Sequence, residues 1–285
     1  MCCSINFFTD PIPACPARQT LIFFCQSATY HSPVHNYYSL PAFVTAMKAL
    51  NGMTALITGG SKGIGYGIAA SLLEAGMQVA ITSRHPEAAE EAARALSSIG
   101  PGKVIGIAAD VRDFDAQQAA VAKTLAAFGR LDVLVANAGI GHFAPITEMT
   151  PAQWQETIDT NLTGVFYSLK AALDALIEAK GYFISIASLA GTNFFASAAA
   201  YNASKFGLVG FTQAVMLDLR EAGVKCSTIM PGSVASHFNN HDPNADDAWK
   251  IQPEDLGQLV VDLLRMNPRT LPSKIEVRPS QTAKK

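Results

Sequence analysis

Thr58-Gly59-Gly60-Ser61-Lys62-Gly63-Ile64-Gly65 follows a short apolar run, Thr54-Ala55-Leu56-Ile57, and precedes an Ala/Leu-rich segment from Ile68 to Ala75. The first run reads as a strand and the second as a helix. Glycines between them let backbone approach a phosphate closely. The helix start adds free N–H groups and the positive end of a dipole. The stretch therefore reads as a cradle for a dinucleotide, with the strand and helix supplying the context that a glycine-rich turn needs. Its spacing, Thr-Gly-x-x-x-Gly-x-Gly, is longer between the first two glycines than the common Gly-x-Gly-x-x-Gly fingerprint.

Working outward, apolar runs alternate with helical patterns. Strands are expected at 54–58, 78–82, 103–109, 131–136, 181–187, 224–230 and 274–278, with Ala-rich helices between them. Such alternation predicts an α/β fold: a doubly wound Rossmann sheet of seven parallel strands, flanked by helices in a single domain. Local signals agree. Pro86 suits a first helical turn, and Asp113 suits the cap of a helix over 114–128 that closes at Gly129. Thr150-Pro151 opens a long helix that Gly181 is expected to end, and Gly223 closes the helix that starts near Tyr201.

Composition narrows the function. Hydrophobic residues make up 49% of the 285, which excludes general disorder. Net charge is −2 with scattered Lys and Arg, so a nucleic acid is not expected as partner. No apolar run reaches the roughly 18 residues of a membrane helix, and no secretory signal is visible, so a soluble cytoplasmic protein is expected. Residues 1–50 carry Pro11, Pro13, Pro16, Pro33 and Pro41 without helical or strand period. They read as an appendage, poorly ordered or the product of an upstream start site, before a catalytic domain at 51–285. Cys2, Cys3, Cys15 and Cys25 lie in that appendage without a Cys-x-x-Cys pair, and no His-Glu-x-x-His occurs, so no metal is expected. Trp154 and Trp249 read as packing or surface residues.

The second strand ends in Ser83-Arg84, without the acid that takes a ribose 2′-hydroxyl in NAD-binding folds. Arg84 can pair a 2′-phosphate and Lys62 can add a charge, so NADP(H) is favoured over NAD(H). Tyr201-Asn202-Ala203-Ser204-Lys205 puts Tyr and Lys on one helix face. An ammonium near a phenol lowers its pKa, which would make Tyr201 a usable general acid or base.

These residues, taken with others in order, resemble the short-chain dehydrogenase/reductase family in its compact branch. Thr58–Gly65 matches the family's cofactor turn, in which Gly59, Ser61, Lys62, Gly63, Ile64 and Gly65 would contact cofactor, as would Ser83 and Arg84. Asp110-Val111 matches its adenine contact, and Asn137-Ala138-Gly139 its motif after the fourth strand. Asn161 matches the helix asparagine. Ser188 precedes Tyr201 at the usual serine spacing, Lys205 follows, and Pro231-Gly232 matches the turn after the sixth strand. Val234 and Ser236 fall where further cofactor contacts lie. Ala136, Ala187 and Ser236 depart from the commonest family residues without touching the reaction.

The resemblance implies a hydride transfer between nicotinamide and a carbonyl or alcohol, as in a 3-oxoacyl reductase or general carbonyl reductase. By it, Tyr201 gives the proton and Ser188 holds the same oxygen. Lys205 binds the nicotinamide ribose and lowers the tyrosine pKa, and Asn161 holds a water that links Lys205 to solvent. Phe143, Phe194, Ser188 and Tyr201 are the candidate substrate contacts, with His142 and His237 as polar lining near the mouth. A homodimer or homotetramer is implied. A catalytically silent NAD(P)-binding regulatory protein on the same fold stays open as the alternative.

Overall fold

The computed structural model describes residues 49–282. The appendage assigned to 1–50 lies outside the described residues, except at its end. There Leu50 is 2% exposed and packs into the core, so the folded body starts before residue 51.

Seven strands form one parallel sheet: β1 (Thr54–Ile57), β2 (Gln78–Ser83), β3 (Val104–Ala108), β4 (Val133–Ala136), β5 (Tyr182–Ile186), β6 (Lys225–Pro231) and β7 (Lys274–Val277). Their order is β3-β2-β1-β4-β5-β6-β7. All seven expected strands are present. Every connection between neighbours is a crossover, because parallel pairing cannot be made by a hairpin.

The strand sequences explain why both faces are covered. Ala55 and Ile57 of β1, with Val133 and Val135 of β4, belong to one core layer. Leu56 and Leu134, their immediate neighbours in sequence, belong to the other. Alternate side chains point to opposite faces, so continuous apolar runs demand helices on both sides. One layer is closed by α1 (Gly63–Glu74), α2 (Pro86–Leu96) and α7 (Pro253–Arg265), through Ile68, Leu72, Leu96 and Leu256. The other is closed by α3 (Phe114–Phe128), α5 (Gly164–Ala179) and α6 (Ala199–Leu219), through Val121, Leu169, Leu176 and Leu208.

Several helix ends follow the sequence. Asp113 accepts the Ala116 N–H and Gly129 takes the left-handed position, with φ 79°. Thr150 and Gln153 form a capping box at the start of α4 (Pro151–Ile158), with Pro151 in its first turn. The helix expected from Thr150-Pro151 runs to Ala179 with a π-turn inside it. This turn, Asp159–Thr163, lies between α4 and α5. Lys180, not Gly181, takes the left-handed position at its end, with φ 46°. Gly181 is needed for another reason: a Cβ there would lie 2.4 Å from the Asp132 carbonyl oxygen. Gly223 lies in the turn beyond α6, which ends at Leu219.

Asp132 locks the entrance of the sheet. Only 2% exposed, it accepts the Thr54 N–H at 2.8 Å and is bound by Arg130 at 2.7 and 2.5 Å. Losing it leaves the buried Thr54 donor unpaired, a cost of about 1–3 kcal/mol. Asp132→Ala is therefore expected to lower stability by that amount in urea unfolding of the purified chain. An unchanged midpoint would remove this role.

Candidate active site

Strand order reverses between β1 and β4, and in open parallel sheets the crevice at that point holds the ligand. A cleft of about 1340 Å³ lies there, built from the segments that follow the strands. That exceeds the roughly 300–1,000 Å³ of a pocket for a single small molecule.

The glycine turn forms one wall. Gly59 and Gly63 have φ of 65° and 59°, which L side chains rarely adopt. Gly65 does not line the cleft. A Cβ on it would come within 2.5 Å of both the Asn137 amide and the Gly59 carbonyl, so it serves the packing under the turn. Gly59, Ser61, Lys62, Gly63 and Ile64 do line it. Helix α1 begins at Gly63 with no side-chain cap and no acid in its first turn. Its free N–H groups and dipole end are thus open to an anion.

The turn is stitched to the end of β4. Thr58 Oγ1 accepts the N–H groups of Asn137 and Ala138 at 3.1 and 3.2 Å. The Asn137 amide donates back to the Thr58 and Gly59 carbonyls, each at 2.9 Å. Asn137, Ala138 and Gly139 all line the cleft.

Ser83, Arg84 and Val111 line its far end. Asp110 does not. Its carboxylate is gripped by Arg112 at 2.7 to 3.1 Å. Burial alone would raise its pKa, but the Arg112 guanidinium more than offsets this and the net shift is downward. Sequence reading missed Glu156 of α4. It reaches across to His142 at 2.9 Å, Arg112 at 3.5 Å and Arg84 at 3.9 Å. His142, then the two arginines, hold its carboxyl below the usual range. Among the described residues lining the cleft, Glu156 is the one carboxylate, beside the cations Lys62, Arg84 and Lys205; Lys250 and Arg278 also line it but are paired with Asp247 and Glu276. A cleft of that sign suits an anionic ligand.

The other end brings Ser188, Tyr201 and Lys205 together, from the loop after β5 and from α6. Burial pushes the Tyr201 phenol above its ordinary pKa, while its hydrogen bond with Ser188 acts against this. The expected lowering by Lys205 is thus corrected: burial dominates and the net direction is upward. The ammonium is 5.8 Å from the ring centroid and donates to the Ile186 carbonyl at 3.0 Å. Lys205 itself is moved by burial from 10.5 to about 8.

Asn161 sits in the π-turn, fully buried and outside the cleft lining. Its amide pairs both ways with Ile140, at 2.8 Å each, and donates to Ser204 at 3.0 Å. It therefore ties the loop after β4 to the residue beside Lys205. A π-turn at such a place is a common mark of functional sites.

Pro231, Gly232, Val234 and Ser236 line the cleft after β6. So do Phe143, His142 and His237, as expected. Phe194 does not; it is 85% exposed, and its neighbour Phe195 faces the cleft instead. Trp249, expected as packing or surface, lines the cleft, as does Arg278 beyond β7. Nothing in the local sequence marks Glu156, Trp249 or Arg278, because only the folded chain brings those segments to the cleft. No group of three or more metal-ligating side chains occurs among the described residues, and none of their helices is long and apolar enough to cross a membrane.

Fold and crevice define an α/β protein of the dinucleotide-binding kind. The family described as short chain dehydrogenase matches residues 53–247, and the chain belongs to that family of oxidoreductases, whose fold binds a nicotinamide cofactor. A 3-oxoacyl-[acyl-carrier-protein] reductase of Synechocystis sp. is 37% identical over 196 residues, covering 68% of this chain and 79% of that protein. A metagenomic short-chain oxidoreductase in complex with NADP is 37% identical, with TM-score 0.72 over 82% of this chain and all of that one. The 3-ketoacyl-(acyl-carrier-protein) reductase of Brucella melitensis complexed with NADH is 25% identical, with TM-score 0.73 over 81% of this chain and 98% of that one.

The buried lysine has a testable consequence. Its folded pKa lies below its unfolded value, so the unfolded chain binds more protons between pH about 8 and 10.5, and stability rises with pH across that window. Below about 8 the charge is buried against a single carbonyl. Lys205→Met should raise the melting temperature of the ligand-free protein at pH 7, and the gain should shrink as pH approaches 10.5. A variant less stable at pH 7 would contradict this.

Proposed function

We propose that this chain interconverts a carbonyl compound and its alcohol with NADP(H), favoured over NAD(H). The observation that carries the proposal is the convergence of Ser188, Tyr201 and Lys205 at one end of a cationic cleft whose other end opens on an uncapped helix start.

The turn from Gly59 to Ile64, with the start of α1, would hold the pyrophosphate. Bound nicotinamide supplies or accepts the hydride. Tyr201 Oη gives a proton to the developing alkoxide, or takes one from the alcohol. Ser188 Oγ donates to the same oxygen, and a donor aimed where charge develops lowers the barrier most. Lys205 would bind the nicotinamide ribose hydroxyls and, once its Ile186 bond is shared with them, stabilise phenolate. The Asn161 bridge to Ile140 and Ser204 is a positioning element that holds Lys205 in register. Val111, Ala138, Gly139 and Ser236 would complete the cofactor contacts. An acyl-carrier-protein reductase among the relatives and an apolar mouth both support a carbonyl substrate.

Arg84 supports the NADP(H) preference. Its side chain is 46% exposed, lines the cleft and, among the described residues, is held by a long ion pair to Glu156 at 3.9 Å. Exposed pairs of this kind are weak, so a 2′-phosphate can displace the carboxylate.

Tyr201→Phe should cut turnover about 10²-fold or more, followed by loss of NADPH absorbance over a panel of ketones and aldehydes. Retained turnover would make the mechanism wrong. Arg84→Ala should weaken NADPH binding about tenfold and leave NADH unchanged, whereas Glu156→Gln should tighten NADPH a few-fold by releasing Arg84. Titration of cofactor fluorescence reads both, and an unchanged NADPH affinity in Arg84→Ala sinks the 2′-phosphate assignment.

A further inference from the structure

Three phenylalanines from three separate loops form a cluster at Tyr201: Phe143 and Phe238 meet its ring, and Phe195 meets Phe143. Phe143 follows β4, Phe195 follows β5 and Phe238 follows β6. The Phe143 centroid is 5.3 Å from that of Tyr201 and the Phe238 centroid 5.5 Å, tilted by 56° and 49°. Phe143 and Phe238 meet edge to face at 6.2 Å. Phe143 and Phe195 are close to parallel, 27° apart, also at 6.2 Å. Yet Phe143 and Phe238 are each 38% exposed and Phe195 is 52% exposed, all of them within the cleft. Rings packed only for stability would be covered. A contiguous apolar patch left open in a cleft marks a ligand surface.

The backbone makes room for this arrangement. A Cβ on Gly141 would lie 2.7 Å from both the Phe143 and Phe238 rings. Phe238 is presented by a turn in which Asn239 and Asn240 both have left-handed backbone, at φ 57° and 58°. Asparagine tolerates that conformation better than most residues.

We propose that the exposed sides of Phe143, Phe195 and Phe238 form an aromatic face that receives an aromatic ring, so that the substrates are small carbonyl compounds carrying an aryl group. The proposal rests on the carbonyl-reductase function above and narrows its substrate class. Ring faces and edges at these tilts reward an aromatic guest beyond the area it buries, whereas a saturated ring gains from area alone. Tyr201 belongs to the same cluster, so an aryl group held there keeps the carbonyl beside it within the region of the Tyr201 and Ser188 hydroxyls. A long flexible acyl chain would use none of this geometry.

Phenylacetone and cyclohexylacetone separate ring stacking from apolar bulk, since their carbonyls are equally unconjugated. With the full-length enzyme and NADPH or NADH, kcat/KM for phenylacetone should exceed that for cyclohexylacetone about tenfold. Phe143→Leu and Phe238→Leu, which keep apolar volume, should bring the ratio towards one through KM. A wild-type ratio near one overturns the aromatic face, and so does a ratio that neither variant changes. If a variant fails to fold, the wild-type ratio decides. Saturation-transfer NMR of phenylacetone with the NADP-loaded protein separates the two levels. Ring protons that saturate while nothing turns over uphold the aromatic face and overturn the reductase function. Turnover without aryl preference does the reverse, and neither binding nor turnover overturns both.

Discussion

The stitch between Thr58 and Asn137 is the constraint on which the crevice depends. The ends of β1 and β4 run side by side at the reversal of strand order, and their following loops must diverge to open a cleft. Diverging loops expose backbone donors and acceptors that the sheet no longer pairs. Thr58 Oγ1 takes two of those donors, and the Asn137 amide takes two of the acceptors. The glycine turn is thereby fixed while its outward N–H groups stay open. Without this bracing, positive φ at Gly59 and Gly63 would give a loose loop rather than a preformed cradle.

The other end of the cleft is built at some expense to stability. Lys205 is buried with one carbonyl partner, and Tyr201 is buried beside exposed aromatic rings. The Tyr201 ring gains from its aromatic neighbours, but the buried Lys205 charge does not help the fold, and groups of this sort gather where a ligand completes the environment. Asn161 limits the damage. By pairing with both backbone groups of Ile140 and with Ser204, it fixes the loop after β4 against α6. The π-turn that carries it widens one turn of a helix that otherwise runs on unbroken.

Charge follows the same division. In a chain with a net charge of −2, Lys62, Arg84 and Lys205 line the cleft, and Glu156 is the one carboxylate among its described lining residues. Its ion pairs with Arg84 and Arg112 and its bond to His142 join segments after β2, β3 and β4. The carboxylate therefore holds the basic end of the cleft in place, through contacts loose enough to be exchanged for those of a ligand.

Local sequence determined the strands, most helix ends and the glycine turn. Strand periodicity, a capping aspartate and positive-φ glycines act within a few residues, so they can be read without the fold. Tyr201 and Lys205 were legible too, because their spacing along α6 fixes one face, whereas Asn161 and Ser188 were read only from the family resemblance. Tertiary structure decided the rest. Gly181 looked like a helix end, but the neighbouring Asp132 carbonyl claims its missing side chain, and Lys180 bends instead. Phe194 and Phe195 cannot be told apart by sequence, since the turn of the loop chooses which one faces inward. Asp110 turns to Arg112, and Glu156, Trp249 and Arg278 enter the cleft from elements far apart in the chain. The direction of the Tyr201 and Lys205 shifts was hidden for the same reason: burial is a property of the folded surroundings, and desolvation outweighed the local pairing that the Tyr-x-x-x-Lys spacing implied.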